Sequence, residues 1–231
     1  MWSDRARDET RHPESPVEAW WWWGGAMDDD GEPDVAWFVG LELRGRRFDY
    51  WAGLARAGHR YLYVEELDST GLREGLEVKP PEMWAGHDCD LPFRQWSLGN
   101  EAHGVLVDDP MSVLRRPFGD LAPVAFDIEW YSTAEPISLE AAPGSDGYRQ
   151  SGEFDARIET ADGVLEVVGQ SARVHVWGSP YRPPFDSVPA AAGRSLAAHL
   201  RRSDGTVVLQ WLTRTGWREQ SAWAGGVALP G

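Results

Sequence analysis

The stretch "EAWWWWGGAMDDDGEP", residues 18–33, sets four tryptophans in a row, Trp20 to Trp23, and few folds can house them. In an extended strand alternate side chains point to opposite faces, so Trp20 and Trp22 face one way and Trp21 and Trp23 the other. Neither face can be left to water with two indoles on it. The strand is therefore expected to be covered on both sides, either as a fully buried strand or as the wall of a ligand cavity. Tryptophan makes up 14 of the 231 residues, more than a generic core needs.

Period-two patterns continue along the chain. Val35, Trp37, Val39, Leu41 and Leu43 are apolar at every second position, the period of a half-buried strand. "FDYWAGLAR" (48–56), "RYLYVEEL" (60–67), "FRQWSL" (93–98), "GVLVDD" (104–109) and "VAFDIEWYS" (124–132) are similar. Ala161-Asp162-Gly163 and Ser203-Asp204-Gly205 each separate two such segments, as hairpin turns do. Roughly a dozen strands result, which argues for an all-β barrel or sandwich. The alanine-rich "PAAAGRSLAAHL" leaves room for one short helix. "SPYRPPFDSVP" (179–189) is expected to be a long loop, and "LEAAPGSDG" (139–147) a boundary between modules. The organisation expected is a flexible N-terminal arm (1–17), a first β module (18–140) and a second, shorter one (141–231).

Charge narrows the partners. With 22 Lys and Arg against 37 Asp and Glu, the net charge is -15, so nucleic acid and anionic membrane are poor partners for lack of neutralising cations. The single cysteine, Cys89, rules out an intramolecular disulfide and fits a reducing compartment. The N-terminus lacks the apolar stretch of a signal peptide, and no apolar run approaches membrane-spanning length. A cytoplasmic protein is expected.

Phosphate-cradling loops, dinucleotide fingerprints, nucleophile elbows and paired-histidine zinc helices are absent. "HDCD" (87–90) offers too few ligands for a metal and reads as a polar loop. Neither metal nor cofactor is expected. Two strands carry the remaining chemistry. In "VAFDIEWYS" one face is Val124, Phe126, Ile128 and Trp130, and the other carries Asp127, Glu129 and Tyr131. Facing inward, the two carboxylates could act as acid or base; facing outward, they are solvated charges. In "SARVHVWG" alternation aligns Arg173, His175 and Trp177. An imidazole there exchanges protons near neutral pH, with Arg and Trp beside it to hold a substrate, unless that face is surface or the histidine is simply satisfied by a neighbouring carboxylate.

The order "GYRQSGEF…VLEVVGQSARVHVWG" resembles the Tyr-x-Gln-x-Gly and Arg-x-His-x-Trp-Gly pattern of a lipocalin-like superfamily. That group contains carotenoid hydratases (hydroxyneurosporene synthases), AttH-like proteins and natural-product cyclases, including Diels-Alderases. The N-terminal aromatic strand, "DLPFRQWSL" and "PVAFDIEWYS" agree, so the likeness spans most of residues 18–214. It implies a calycin-type pair of β-barrel modules, the second curtailed in this chain, with an apolar pocket and catalysis without a redox cofactor. His175 and Trp177 match the superfamily's His-x-Trp. The aromatic-plus-acid pair that follows in the hydratases has no counterpart, and "SLAAHLRR" offers His199 instead.

The function expected is a cofactor-independent cyclase, isomerase or hydratase/dehydratase acting on an apolar polyketide- or terpenoid-like molecule. His175 would transfer a proton, Arg173 would stabilise negative charge, and Asp127 and Glu129 are candidate proton partners. Trp22, Trp37, Trp51, Trp96 and Tyr131 would wall the pocket, joined by Tyr148 and Gln150 of the Tyr-x-Gln motif and by Trp177. The chief rival is a lipocalin-like carrier with the same pocket and no chemistry, in which the lining would be purely apolar. A third reading is a structural protein whose tryptophans only fill the core, with no cavity large enough for a ligand.

Overall fold

The structure, a computed structural model, describes residues 5–29, 31, 33–56, 58–108, 117–139 and 145–178, and the backbone of strand residues 196–201, 206–213, 216–224 and 227–228. The loop expected at 179–189 and the turn at 203–205 lie outside the described residues. Ten strands precede residue 179: β1 (Glu18–Met27), β2 (Pro33–Arg44), β3 (Arg47–Arg56), β4 (Tyr61–Ser69), β5 (Trp84–Leu91), β6 (Gln95–Val107), β7 (Asp120–Ser132), β8 (Ile137–Ser138), β9 (Ser145–Thr160) and β10 (Gly163–Gly178). All pair antiparallel in the order β10-β1-β2-β3-β4-β6-β7-β9, and β9 pairs with β10 to close the ring. β5 adds to β6, and β8 to β9. The result is an eight-stranded barrel, a size whose interior side chains can fill or in which one small ligand fits.

The sheet crosses the boundary expected at 140/141, because β9 and β10 complete the ring that β1 begins. A second sheet follows from β11 (Leu196–Arg201), β12 (Thr206–Thr213), β13 (Gly216–Ala224) and β14 (Val227–Ala228), in sequence order. β11 lies against β2 and β3. The alanines of "SLAAHL" are therefore strand and not helix, because pairing with β12 outweighs a weak helical propensity. His199 lies on β11. No helix among the described residues is long and apolar enough to cross a membrane.

Alternation places the core. Val35, Trp37, Val39, Leu41 and Leu43 all point into the barrel. Trp20 and Trp22 join them, whereas Trp21 and Trp23 belong to a second buried cluster outside the ring with Phe38 and Trp51. None of the four is more than 8% exposed, so both faces of β1 are covered as the sequence demands. Backbone beside the indoles has to be bare. A Cβ on Gly40, opposite Trp21, would sit 2.7 Å from that indole.

Two segments read as separate strands, 93–98 and 104–109, fuse into the single strand β6. Gly99 looks like a break in the sequence but is a close approach, since a Cβ there would lie 2.8 Å from the Trp84 ring. "HDCD" is likewise not a loop. It falls in β5, whose alternation turns Ala85 and His87 inward, and the His87 ring stacks on Trp22 with centroids 5.4 Å apart.

Candidate functional site

Register assembles one polar site in this apolar barrel. Trp20 pairs with His175 and Trp22 with Arg173 across β1 and β10, while Tyr148 pairs with His175 and Gln150 with Arg173 across β9 and β10. Since Trp20 and Trp22 face inward, so do Arg173 and His175. They lie toward the end of the barrel where β10 finishes and β1 begins. Residues 5–17, read from sequence as a loose arm, cross this end. A 3-10 turn, Arg5–Glu9, carries Glu9 inside to 3% exposure, and the Gly178 amide donates to the Val17 carbonyl at 3.1 Å.

Glu9 and Arg173 form the deeper half of the site. The Arg173 guanidinium, 1% exposed, donates to Glu9 Oε1 at 2.7 Å and to Gln150 Oε1 at 2.7 Å. It also lies over the rings of Trp130, Tyr148 and Trp96, at 4.8, 5.2 and 5.4 Å from their centroids. Glu9 accepts further from Trp96 Nε1 at 2.8 Å and from the Tyr148 hydroxyl. Burial by itself would raise the Glu9 carboxyl; the Arg173 charge and the bonds from Arg173, Tyr148 and Trp96 outweigh it and hold the group below its ordinary value. Burial lifts the Tyr148 phenol well above its usual range and pushes the Cys89 thiol up to about 12, with the Glu9 charge adding to both. Neither group supplies an anion at neutral pH. One Arg173 nitrogen, Nη1, is buried without a partner.

The outer half is a carboxylate between two imidazoles. Glu18 Oε1 lies 2.7 Å from His12 Nδ1 and 2.9 Å from His175 Nε2, and Glu18 Oε2 accepts from the His12 amide at 2.8 Å. His175 Nδ1 lies 2.8 Å from the Asp8 carbonyl. The rings are fixed by stacking: His175 on Trp20 at 4.4 Å and His12 on Trp177 at 4.1 Å between centroids. Burial pulls the His175 pKa down, against the raising effect of the Glu18 hydrogen bond and charge. Burial would raise Glu18, but hydrogen bonds from His12 and His175 bring it below its ordinary value. Hydrogen bonding therefore wins at Glu18 and burial wins at His175, and both groups are held below their ordinary values. Exposure falls from 11% for the His12 side chain to 4% for Glu18 and 0% for His175, so the chain runs from near the surface inward.

No protein-family model matches the chain, and no curated protein matches it. Solved structures are similar to it. One, from Nitrosomonas europaea and assigned as AttH, is 14% identical over 96% of this chain and 70% of that one, with a TM-score of 0.49. Two others are of CghA, alone and with Sch210972; each is 13% identical over 92% of this chain, with TM-scores of 0.34 and 0.35. This chain spans 59% of CghA.

Of the residues expected at the site, His175, Arg173, Trp177, Tyr148, Gln150, Trp96 and Trp22 come together. Trp37 is in the barrel core with Trp22 but stacks edge-on against Phe154. Four fall elsewhere. Trp51 is in the cluster outside the ring. Asp127 and Tyr131 are exposed on the outer face of β7, and Glu129 shares that face, accepting from Gln95 Nε2 at 3.0 Å and Ser97 Oγ at 2.9 Å. Alternation forces this, since Ile128 and Trp130 take the inward positions. The polar neighbours of His175 are instead Glu18 and, through it, His12. Sequence reasoning missed them with Glu9, because Glu9 and His12 come from a polar segment that shows its contacts only once docked, and Glu18, the first residue of β1, meets His175 only once β1 and β10 pair. It also missed a polar set deeper in the barrel: Asn100 Nδ2 donates to the Tyr50 hydroxyl at 2.9 Å, and His87 Nδ1 contacts the Leu76 carbonyl at 2.9 Å.

Proposed function

We propose that the protein is a cofactor-independent acid/base enzyme, of cyclase, isomerase or hydratase/dehydratase type, acting on a largely apolar polyketide- or terpenoid-like small molecule. The observation that carries this reading is Glu18 held between His12 at 2.7 Å and His175 at 2.9 Å in the barrel mouth. A carboxylate fixing an imidazole in position, with a second imidazole leading outward, is a proton-transfer chain. His175 exchanges the proton with a substrate that takes the place of the Asp8 carbonyl at Nδ1, Glu18 is the positioning residue on Nε2, and His12 carries the proton toward solvent. Trp20 and Trp177 pack their rings against His175, and an apolar substrate held beside them is oriented for reaction, so orientation contributes to rate. Arg173 has a different part from the one expected of it: Glu9 and Gln150 occupy its Nη2, so it anchors the N-terminal segment and keeps only Nη1 for a developing anion. Buried titratable groups at the mouth favour an enzyme over a carrier, whose lining would be purely apolar.

Native mass spectrometry of the protein as purified tests the substrate class, because an apolar ligand bound in the barrel would be carried through purification and its mass would name the class. Turnover of that ligand class by His175→Ala and Glu18→Gln then tests the chain. Wild-type rates in both variants would remove the acid/base role, and no product from any retained ligand would leave a carrier.

A further inference from the structure

We propose that His12, Glu18 and His175 bind one divalent transition-metal ion at the barrel mouth, and that the ion-loaded form has no proton chain. The second half of that statement rests on the acid/base reading above; the first half stands without it. One ligand atom from each of the three residues lies within 4.8 Å of the other two, and among the described residues no other three His, Cys, Asp or Glu side chains are so placed. Neighbouring ligands around an ion held at about 2.1 Å are roughly 3 Å apart. Glu18 Oε1 is already 2.7 and 2.9 Å from the two ring nitrogens, and a small rotation of His12 at the rim closes the set. Two imidazoles and one carboxylate are the donors that zinc and other late first-row ions accept at open sites, where water fills the remaining positions.

The hydrogen bonding around His175 points the same way. Its Nδ1 faces the Asp8 carbonyl at 2.8 Å, and a carbonyl only accepts, so the hydrogen is on Nδ1. Nε2 faces a second acceptor, Glu18 Oε1, at 2.9 Å. Two acceptors in contact need a cation between them, and either a proton or a metal ion serves. A backbone carbonyl on the remote nitrogen is also how metal-binding imidazoles are oriented. Stacking on Trp20 and Trp177 holds both rings in place without using their nitrogens. Binding displaces to solvent the protons that His12 and His175 share with Glu18, and the ion takes the lone pairs that proton transfer requires.

The test uses the full chain, stripped with chelator and titrated with ZnCl2 by calorimetry and native mass spectrometry. The expected result is one zinc per chain in the wild type, with affinity weakened at least about tenfold in Glu18→Gln and in His12→Ala. His12 sits at the rim, so its variant keeps the test valid if the buried Glu18 change disturbs folding, which near-ultraviolet circular dichroism reports. His59→Gln, at an exposed histidine beside Asp162, should bind zinc as the wild type does. No zinc bound by the wild type, unchanged affinity in both His12→Ala and Glu18→Gln, or equal weakening in His59→Gln would overturn the site. Turnover of the substrate class found by native mass spectrometry should be slower with zinc loaded than in chelator, and an equal or faster rate would overturn the second half. Failure to bind zinc leaves the acid/base reading standing, because His175→Ala tests that reading in metal-free buffer.

Discussion

His175 is where burial and chemistry pull against each other. A fully buried imidazole resists its charged form, and the adjacent Glu18 carboxylate favours it, with burial the larger effect. His175→Ala should lower turnover by roughly 10²- to 10⁴-fold while retention of apolar ligand persists, since proton transfer and wall contact reside in different side chains. Trp177→Ala should chiefly raise KM, and steady-state kinetics on the pair checks the division. His87 provides a test on stability. Burial lowers its pKa to about 4 from the ordinary 6.5, despite the Leu76 carbonyl contact. The unfolded chain therefore takes up this proton first. The contribution of neutral His87 is complete above about pH 6.5 and is lost as pH falls toward 4, up to about 3 kcal/mol in all. Burial also lowers His175, which adds in the same direction. Urea unfolding between pH 7 and 4.5 should thus show a flatter, though not flat, pH dependence in His87→Leu, and a slope equal to the wild type would refute the assignment.

Among the elements, the N-terminal segment gains most from tertiary contact. Five residues of 3-10 turn have no stability of their own; Glu9 ties them to β10 through Arg173 and to β6 and β9 through Trp96 and Tyr148. Glu9→Ala leaves the Arg173 charge buried without a counterion and should cost about 3–5 kcal/mol. The double variant Glu9→Ala, Arg173→Met should regain part of that, because removing both charges also removes the burial penalty. Urea midpoints decide: an unchanged midpoint in the single variant would mean that the pair does not hold the segment. The β1–β2 pair has a steric dependence of a different kind. Gly40→Ala drives a methyl into the Trp21 indole, and overpacking of this sort costs roughly 1–3 kcal/mol, to be read as a drop in Tm.

Over the whole molecule, ring closure is uneven. β9 and β10 pair along their full length, whereas β4 meets β6 only where Tyr61–Tyr63 run beside Val105–Val107, and β5 takes Gln95–Glu101 of the same strand. Short ladders open at lower free energy than long ones. Amide exchange should therefore be faster at the β4–β6 seam than along β9–β10, and hydrogen-exchange mass spectrometry would resolve the two. Uniform protection around the ring would contradict this account.

The sequence by itself determined what depends on local period. Alternation over Val35–Leu43 and Gly163–Gly178 set strand identity, the facing of Arg173, His175 and Trp177 toward one side, and the cover on both faces of Trp20–Trp23. Two turns, at Ala161–Gly163 and Ser203–Gly205, announced hairpins whose strands do pair. Tertiary structure decided the rest, because period two shows that a strand has two faces but not which one turns inward. Asp127 and Glu129 went outside for that reason, and His87 went in. Gly99 looked like a break until the Trp84 ring lay across it. Least legible was the site itself: Glu9, His12 and Glu18 stand more than a hundred and fifty residues from their partners on β10. A polar, proline-containing segment gives no local sign that its carboxylates are buried, since only the closed barrel supplies the donors that make that burial stable.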